Sequence, residues 1–580
     1  MILQALAGYY QRMSEEVGTD VAPEGFEKKD IPFIIVLNRQ GNFIGVDDTR
    51  EGEGKKKSAR IFIVPKGVKK TSGVASNLLW DTPAYIVGRP KLDPKKDMVK
   101  QGERAQKQFQ CFQDTIRETF PDDKRDEGVT AVLQFLEGKD FEQLFAHSTW
   151  KEIEEKGANT TFRLDADACL ICQRPAVVSE LSMNTDEKGA SCTHRVCLVS
   201  GKSEEPTRLH TAIKGVWGAQ TSGANIVSFN LDAFRSYGKE QGLNAPVGKK
   251  AEFAYTTALN SMLVKGSRQR IQVGDASTVF WAEKKNDLED AFADIFGEPA
   301  KENPEQANKA IRILYEAPKA GAPPITEDYT PFFVLGLAPN AARIAVRFWH
   351  AGTVGETARH IRQHFDDCAM VHGPKQPEHL SLFRLLVSTA MQGKSENIPP
   401  NIAGEFMEAI ITGTPYPQTI LAAAVRRCRA EREISYPRAS IIKAVLARTA
   451  RFYQQPEKEI GMALDTGNSN IGYRLGRLFA TLEKIQEEAS PGINATIRDR
   501  FYGAASGTPV AAFPHLMKLK NHHLAKLGNR GRAVNLEKVI GEIMDGIVDF
   551  PTHLALQDQG RFAVGYYHQR QAFFTKNETN

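Results

Sequence analysis

FFVLGL at 332–337, APNA at 338–341 and RIAVRFW at 343–349 decide the fold class. Two apolar runs on either side of a Pro-Asn turn read as a β-hairpin. Thr353 and Glu356 follow at the spacing of a capping box, which predicts a helix through Phe365. Upstream, FIIVLN at 33–38 and NFIGVD at 42–47 flank RQG as a second hairpin, and RIFIVP at 60–65 and TVFWAE at 278–283 read as further strands. Strand and helix signals thus alternate over residues 1–370, a mixed α/β region.

Past that point strand signals stop. Helical stretches broken by PKQPEH, ENIPPN, TPYP and SYPR predict a helical connecting region over 371–460. Residues 461–580 read as a C-terminal helical bundle. Its most amphipathic segment is 473–485, where Leu475, Leu478, Phe479, Leu482 and Ile485 form an apolar stripe beside Arg474, Arg477, Thr481 and Lys484. Further helices are expected at about 508–527, 534–548 and 558–574. The fold class is therefore α+β, an α/β region with sheet hairpins followed by helices.

Length and composition bound the function. The 580 residues exceed one core and predict roughly three or four domains. With 41% hydrophobic and 25% charged residues, and no apolar run near the roughly 20 residues that span a bilayer, a membrane protein is not expected. MILQALAGYYQRMSEEVG at 1–18 lacks the basic start and cleavage site of a signal peptide and reads as a core-packing helix. Seven sparse cysteines fit a reducing compartment, so a cytoplasmic location is expected.

Net charge is only +5, so the position of the cations matters more than their sum. Lys55, Lys56, Lys57, Arg60, Lys66, Lys69 and Lys70 lead into KKTSGVASNLLWDTPAYIVG at 69–88. A second segment of the same texture is RLHTAIKGVWGAQTSGANIVSFN at 208–230. Each joins cations to Ser-Gly and delivers an amide side chain, the chemistry that approaches a phosphate backbone and touches a base edge. The 515–532 stretch, HLMKLKNHHLAKLGNRGR, adds five Lys/Arg without an acid. Solvated faces and ordinary turns are the plain alternative.

Enzyme constellations fail on spacing. GVKKTSG at 67–73 and GKS at 201–203 lack the first glycine of a Walker A loop. Glu356, His360 and His364 share one helix face and are the candidate set for a metal-dependent nuclease acting on a displaced strand, although HExxH is absent. Cys169 and Cys172, followed by Cys192, His194 and Cys197, hint at a structural zinc within a 165–201 insert, in which CLVSG resembles a zinc knuckle whose second cysteine has become Ser200. No other cofactor is implied, and a protein-binding scaffold remains the third reading.

The two amide-rich segments, with IRQHF at 361–365, YRLGRLFATLE at 473–483 and VGYYHQRQ at 564–571, resemble the large subunit of the type I-C CRISPR Cascade complex. The likeness runs over nearly the whole chain. It implies a non-catalytic subunit of an RNA-guided antiviral complex, set at the CRISPR RNA 5′ end beside backbone and handle-binding subunits. Such subunits read the protospacer-adjacent motif in target double-stranded DNA, help open it into an R-loop, and recruit a helicase-nuclease. The resemblance assigns Lys69, Lys70, Thr71 and Ser72 to phosphate and Asn77 to a base edge. It assigns Lys214 and Ser222 to backbone, Gln220 and Asn225 to base edges or a wedge, and Gly215, Gly218 and Gly223 to close approach. Trp80 and Trp217 are expected in the core. The C-terminal part resembles the Cascade small subunit, which family genes often yield as a free polypeptide by internal translation; Met462 is placed for such a start. Arg474, Arg477, Lys518, Lys520, Arg530 and Arg532 would then offer cations to nucleic acid.

Overall fold

The computed structural model describes residues 1–16, 21–52, 57–68, 70, 73–95, 97–187, 194–297, 306–315, 324–455 and 460–574. The chain divides into two compact units. One comprises Leu3–Thr211 and Phe229–Ala258 with Met1, and the other Ala212–Ser228 and Leu259–Asn580 with Ile2.

The first unit contains eight strands among the described residues: β1 Phe26–Asp30, β2 Phe33–Leu37, β3 Phe43–Asp48, β4 Ile61–Pro65, β5 Trp80–Asp81, β6 Thr160–Leu164, β7 Arg195–Val196 and β8 Ser203–Glu204. A four-stranded sheet runs β3-β2-β6-β5, while β1 pairs with β4 and β7 with β8. β2 and β3 are the predicted hairpin, its turn held by Asn38, whose Oδ1 accepts the Gln40 and Asn42 N–H groups at 3.0 and 2.9 Å. β2 pairs in parallel with β6 and all five of its residues are buried, which explains the unbroken FIIVL. Helices Met98–Thr119 and Glu127–Gly138 contribute Phe109, Phe112, Ile116, Val132 and Phe135 to this core.

The second unit holds β9 Arg270–Val273, β10 Ala276–Ala282, β11 Pro331–Asn340 and β12 Arg343–Thr353, all antiparallel in the order β12-β11-β10-β9. The hairpin is as expected, but its turn lies later, at Ala341 and Ala342, and Pro339 pairs with Ile344 inside the ladder. Beyond Leu337 β11 no longer pairs with β10, so Pro339 sits where a missing N–H is tolerated. The capping box forms: Thr353 Oγ1 accepts Glu356 N–H, and Glu356 Oε2 accepts Thr353 N–H, both at 3.2 Å, starting the Val354–Cys368 helix.

No strand follows Thr353 among the described residues. Within the second unit one apolar core continues from Val273 to Tyr567. The Ile471–Ala489 helix lies inside it with Arg477, Thr481 and Glu483 buried as fully as its leucines, so of the expected cationic face Arg477 and Thr481 are enclosed while Arg474 and Lys484 are half-buried. Its partner is Leu556–Phe574. A Cβ on Gly476 would lie 2.0 Å from Phe562 O, and one on Gly565 2.2 Å from Tyr473 O. The YRLGRLFATLE and VGYYHQRQ motifs are thus two sides of one helix pair, joined also by Tyr473 to His568 Nδ1 at 3.0 Å and Arg477 Nε to Gln569 at 3.1 Å. No helix among the described residues is long and apolar enough to cross a membrane.

Candidate nucleic-acid interface

The first amide-rich segment is latched onto its own unit. Lys70 Nζ donates to both Asp81 carboxylate oxygens at 2.6 Å and lies 3.6 Å from the Tyr85 ring centroid. Asp81 is fully buried and also accepts the N–H groups of Asn77 and Thr82. Asn77 is buried, its Oδ1 accepting Val68 N–H at 2.9 Å. Lys70 and Asn77 therefore order the loop in this conformation, and neither presents the free group assigned to phosphate or base edge. Lys69, Thr71 and Ser72 lie outside the described residues. Trp80 is buried as expected, donating to Pro65 O at 2.8 Å.

The second segment behaves oppositely. Ile213 and Ala224 form an antiparallel bridge at the neck of a loop. Gly215 has φ +84°, and a Cβ there would meet Leu263 O at 2.4 Å; Gly223, at φ +95°, packs against Ala212 and Ile213. At Gly215 and Gly223 the close approach is to the chain's own backbone and side chains. Lys214 N–H donates to Asn260 Oδ1 at 2.8 Å and Trp217 N–H to Ser277 Oγ at 2.9 Å, so the first limb of the loop is held as well as its neck. Asn225 is half-buried, and its backbone bridges to Arg343 beside the β11–β12 turn. Against this rigid frame the side chains of Lys214, Gln220 and Ser222 are exposed together. Trp217 is 60% exposed and not in the core, a correction decided by the loop backbone turning its ring outward. Residues 206–231 carry no acid.

The C-terminal cations divide. Arg477 is buried, and burial lowers its pKa; its NH1 also donates to Thr466 O. Arg474 Nε donates to Asn468 O, and Arg532 pairs with Glu488 at 2.9 Å. Lys518 and Arg530 are exposed and Lys520 half-exposed. On the Pro509–Ala525 helix His515, Lys518 and His522 share the exposed face, continued by Lys526. Arg426 and Arg429, not singled out from sequence, rim a cavity of about 570 Å³ floored by Val425, Gly503 and Leu556.

The described metal candidates do not assemble. No group of three or more His, Cys, Asp or Glu suited to a metal occurs among the described residues. Cys172 sits in the first unit's core, where burial pushes its thiol up to about 12. Cys197 Sγ instead accepts N–H groups of Val199, Ser200 and Gly248. Burial raises its pKa, but these hydrogen bonds prevail and the thiol titrates below its ordinary range. Cys169 is half-exposed, and Cys192 lies outside the described residues. The expected ligand set is thus not formed by its described members. Glu356, His360 and His364 do not converge either. Glu356 belongs to the capping box, His360 Nδ1 pairs with Ile411 O at 2.9 Å, and His364, buried, pairs with Tyr416 OH at 2.8 Å. Burial holds His364 well below the usual histidine range. The residue spacing was right, but helix packing uses each side chain separately.

The exposed, acid-free 213–224 loop and the exposed cations of the Pro509–Ala525 helix are the described surfaces on which the expected nucleic-acid contacts fall. A family model for a CRISPR-associated protein, Cas_Csd1, matches residues 6–574. No curated protein matches the chain. The chain belongs to the Cas_Csd1 family, the large-subunit family of the type I-C Cascade complex.

Proposed function

We propose that this chain is a non-catalytic large subunit that reads the protospacer-adjacent motif through its 213–224 loop. The supporting observation is the joint exposure of Lys214, Trp217, Gln220 and Ser222 on a loop fixed at both ends. Lys214 and Ser222 hold phosphate, Gln220 reads a base edge, and Trp217 stacks on the opened step of the duplex. Base pairing to the guide then reads the rest of the target and forms the R-loop. Lys518, Lys520 and Arg530 track the displaced strand. Other surfaces meet the backbone and handle-binding subunits, the CRISPR RNA 5′ end and the helicase-nuclease.

The test uses the assembled complex. Trp217→Ala with Lys214→Glu should abolish capture of a duplex bearing the motif while leaving complex assembly and binding of a pre-opened target intact. Equal loss for duplex and pre-opened target would refute motif reading and opening by this loop.

A further inference from the structure

We infer that Tyr237 is the aromatic anchor by which this chain docks onto a protein subunit of its complex. The inference rests on family membership and not on the motif reading. Tyr237 is 97% exposed, at the tip of a hairpin in which Ser236 and Lys239 pair. Its φ of +50° and that of Gly238, +69°, give a turn with left-handed backbone at both central positions. That geometry favours Asn-Gly, and a bulky aromatic ring rarely adopts it.

The tip is nevertheless held in one shape. Lys239 N–H donates to Ser236 O at 2.9 Å. Asn244 clamps it from below, its Oδ1 accepting Ser236 N–H at 3.2 Å and its Nδ2 donating to Lys239 O at 3.3 Å and Gln241 O at 3.0 Å. Arg208 Nε donates to Gln241, tying the base of the hairpin to its own unit. A rigid, strained turn that presents a large ring to solvent gains the fold no burial of that ring, since Tyr237 is 97% exposed. Strain held at an exposed side chain points to a binding role.

The surrounding charge selects the partner. Residues 232–240 contain Asp232, Arg235, Lys239 and Glu240, which sum to zero, and Arg235 pairs with Asp232 at 3.2 Å and Glu240 at 3.6 Å. A phosphate backbone would be met by unpaired cations, as on the acid-free 206–231 segment. A tyrosine ringed by charges that cancel, with Arg235 held between Asp232 and Glu240, matches the centre and rim of a protein interface. The occupant is therefore a pocket on a partner subunit that takes a phenol ring.

The experiment titrates labelled full-length chain onto the guide-RNA-bound remainder of the complex. Tyr237→Ala should weaken docking by about tenfold or more. Tyr237→Gly should do the same while leaving thermal stability unchanged or higher, since glycine relieves the left-handed backbone; a ring needed for folding would lower it. Undiminished docking of both variants overturns the inference. So does undiminished docking with weakened target-duplex binding by the assembled complex, which would make a base the partner. The 213–224 loop variants dock normally on either view, so failure here is distinguishable from failure of the motif reading.

Discussion

Ile213 and Ala224 exchange backbone hydrogen bonds across the neck of one loop, Ile213 N–H to Ala224 O at 2.8 Å and the reverse at 2.9 Å. The bridge fixes where Gln220 and Lys214 stand, so changes in the two side chains separate cleanly. In the assembled complex Gln220→Ala should reduce the ratio of motif to non-motif duplex binding by about 1–3 kcal/mol. Lys214→Ala should weaken both duplexes alike and lower the salt slope by about one. Competition binding at two salt concentrations reads both, and an unchanged ratio for Gln220→Ala removes it as a base reader.

Lys70 differs from Lys214 although sequence treats them alike. Removing it leaves the Asp81 carboxylate, whose side chain is 1% exposed, without its ammonium partner. Lys70→Ala is therefore expected to cost about 2–3 kcal/mol of stability, while Lys214→Ala costs almost nothing. Denaturant unfolding of the purified chain compares them.

Arg477→Ala should likewise act on stability, since the side chain is buried against Gln569 and Thr466. Lys518→Ala with Arg530→Ala should leave the unfolding midpoint unchanged and reduce the salt dependence of target binding. Matching effects of the two changes on both readouts would refute the division into core and surface cations.

His568 makes the helical unit acid-sensitive. Burial lowers its pKa to about 4, its Nδ1 faces Tyr473 OH, and Nε2 has no partner among the described residues. The unfolded chain takes up this proton near pH 6.5, before the folded one. The stabilisation is complete above about 6.5, falls as pH drops toward 4 and levels off below, by about 3 kcal/mol in all. His568→Gln should flatten that part of the stability profile; buried His364, shifted the same way, accounts for residual slope. An unchanged slope would assign the sensitivity elsewhere.

A polypeptide beginning at or near Met462 should accompany the complex expressed from its native gene, detectable by mass spectrometry. It would lack the Gln418–Glu431 and Tyr436–Phe452 helices, whose Leu421, Ile442 and Leu446 lie against Gly560. That face of the last helix then needs cover, so the free fragment should self-associate or bind the complex. Full assembly and target binding with no such fragment would count against a separate small subunit.

Local order in the chain determined the hairpins, the Thr353 capping box and the loss of strands beyond the sheet, because alternation, turn residues and capping spacing act over a few neighbouring residues. It also marked the two amide-rich segments, since hydroxyl, amide and glycine residues signal close backbone approach whatever they approach. Only the tertiary structure decided what that was. Asp81 captured Lys70 and the Asn77 backbone, while Leu263 and Ser277 fixed the second loop with its side chains outward. Arg477 shares its helix with a predicted apolar stripe, yet a second helix packed so closely that Arg477 and Thr481 were enclosed as well. Exposure of Trp217 and Tyr237 was equally illegible, because an aromatic ring reads the same in a sequence whether neighbouring segments cover it or leave it in water.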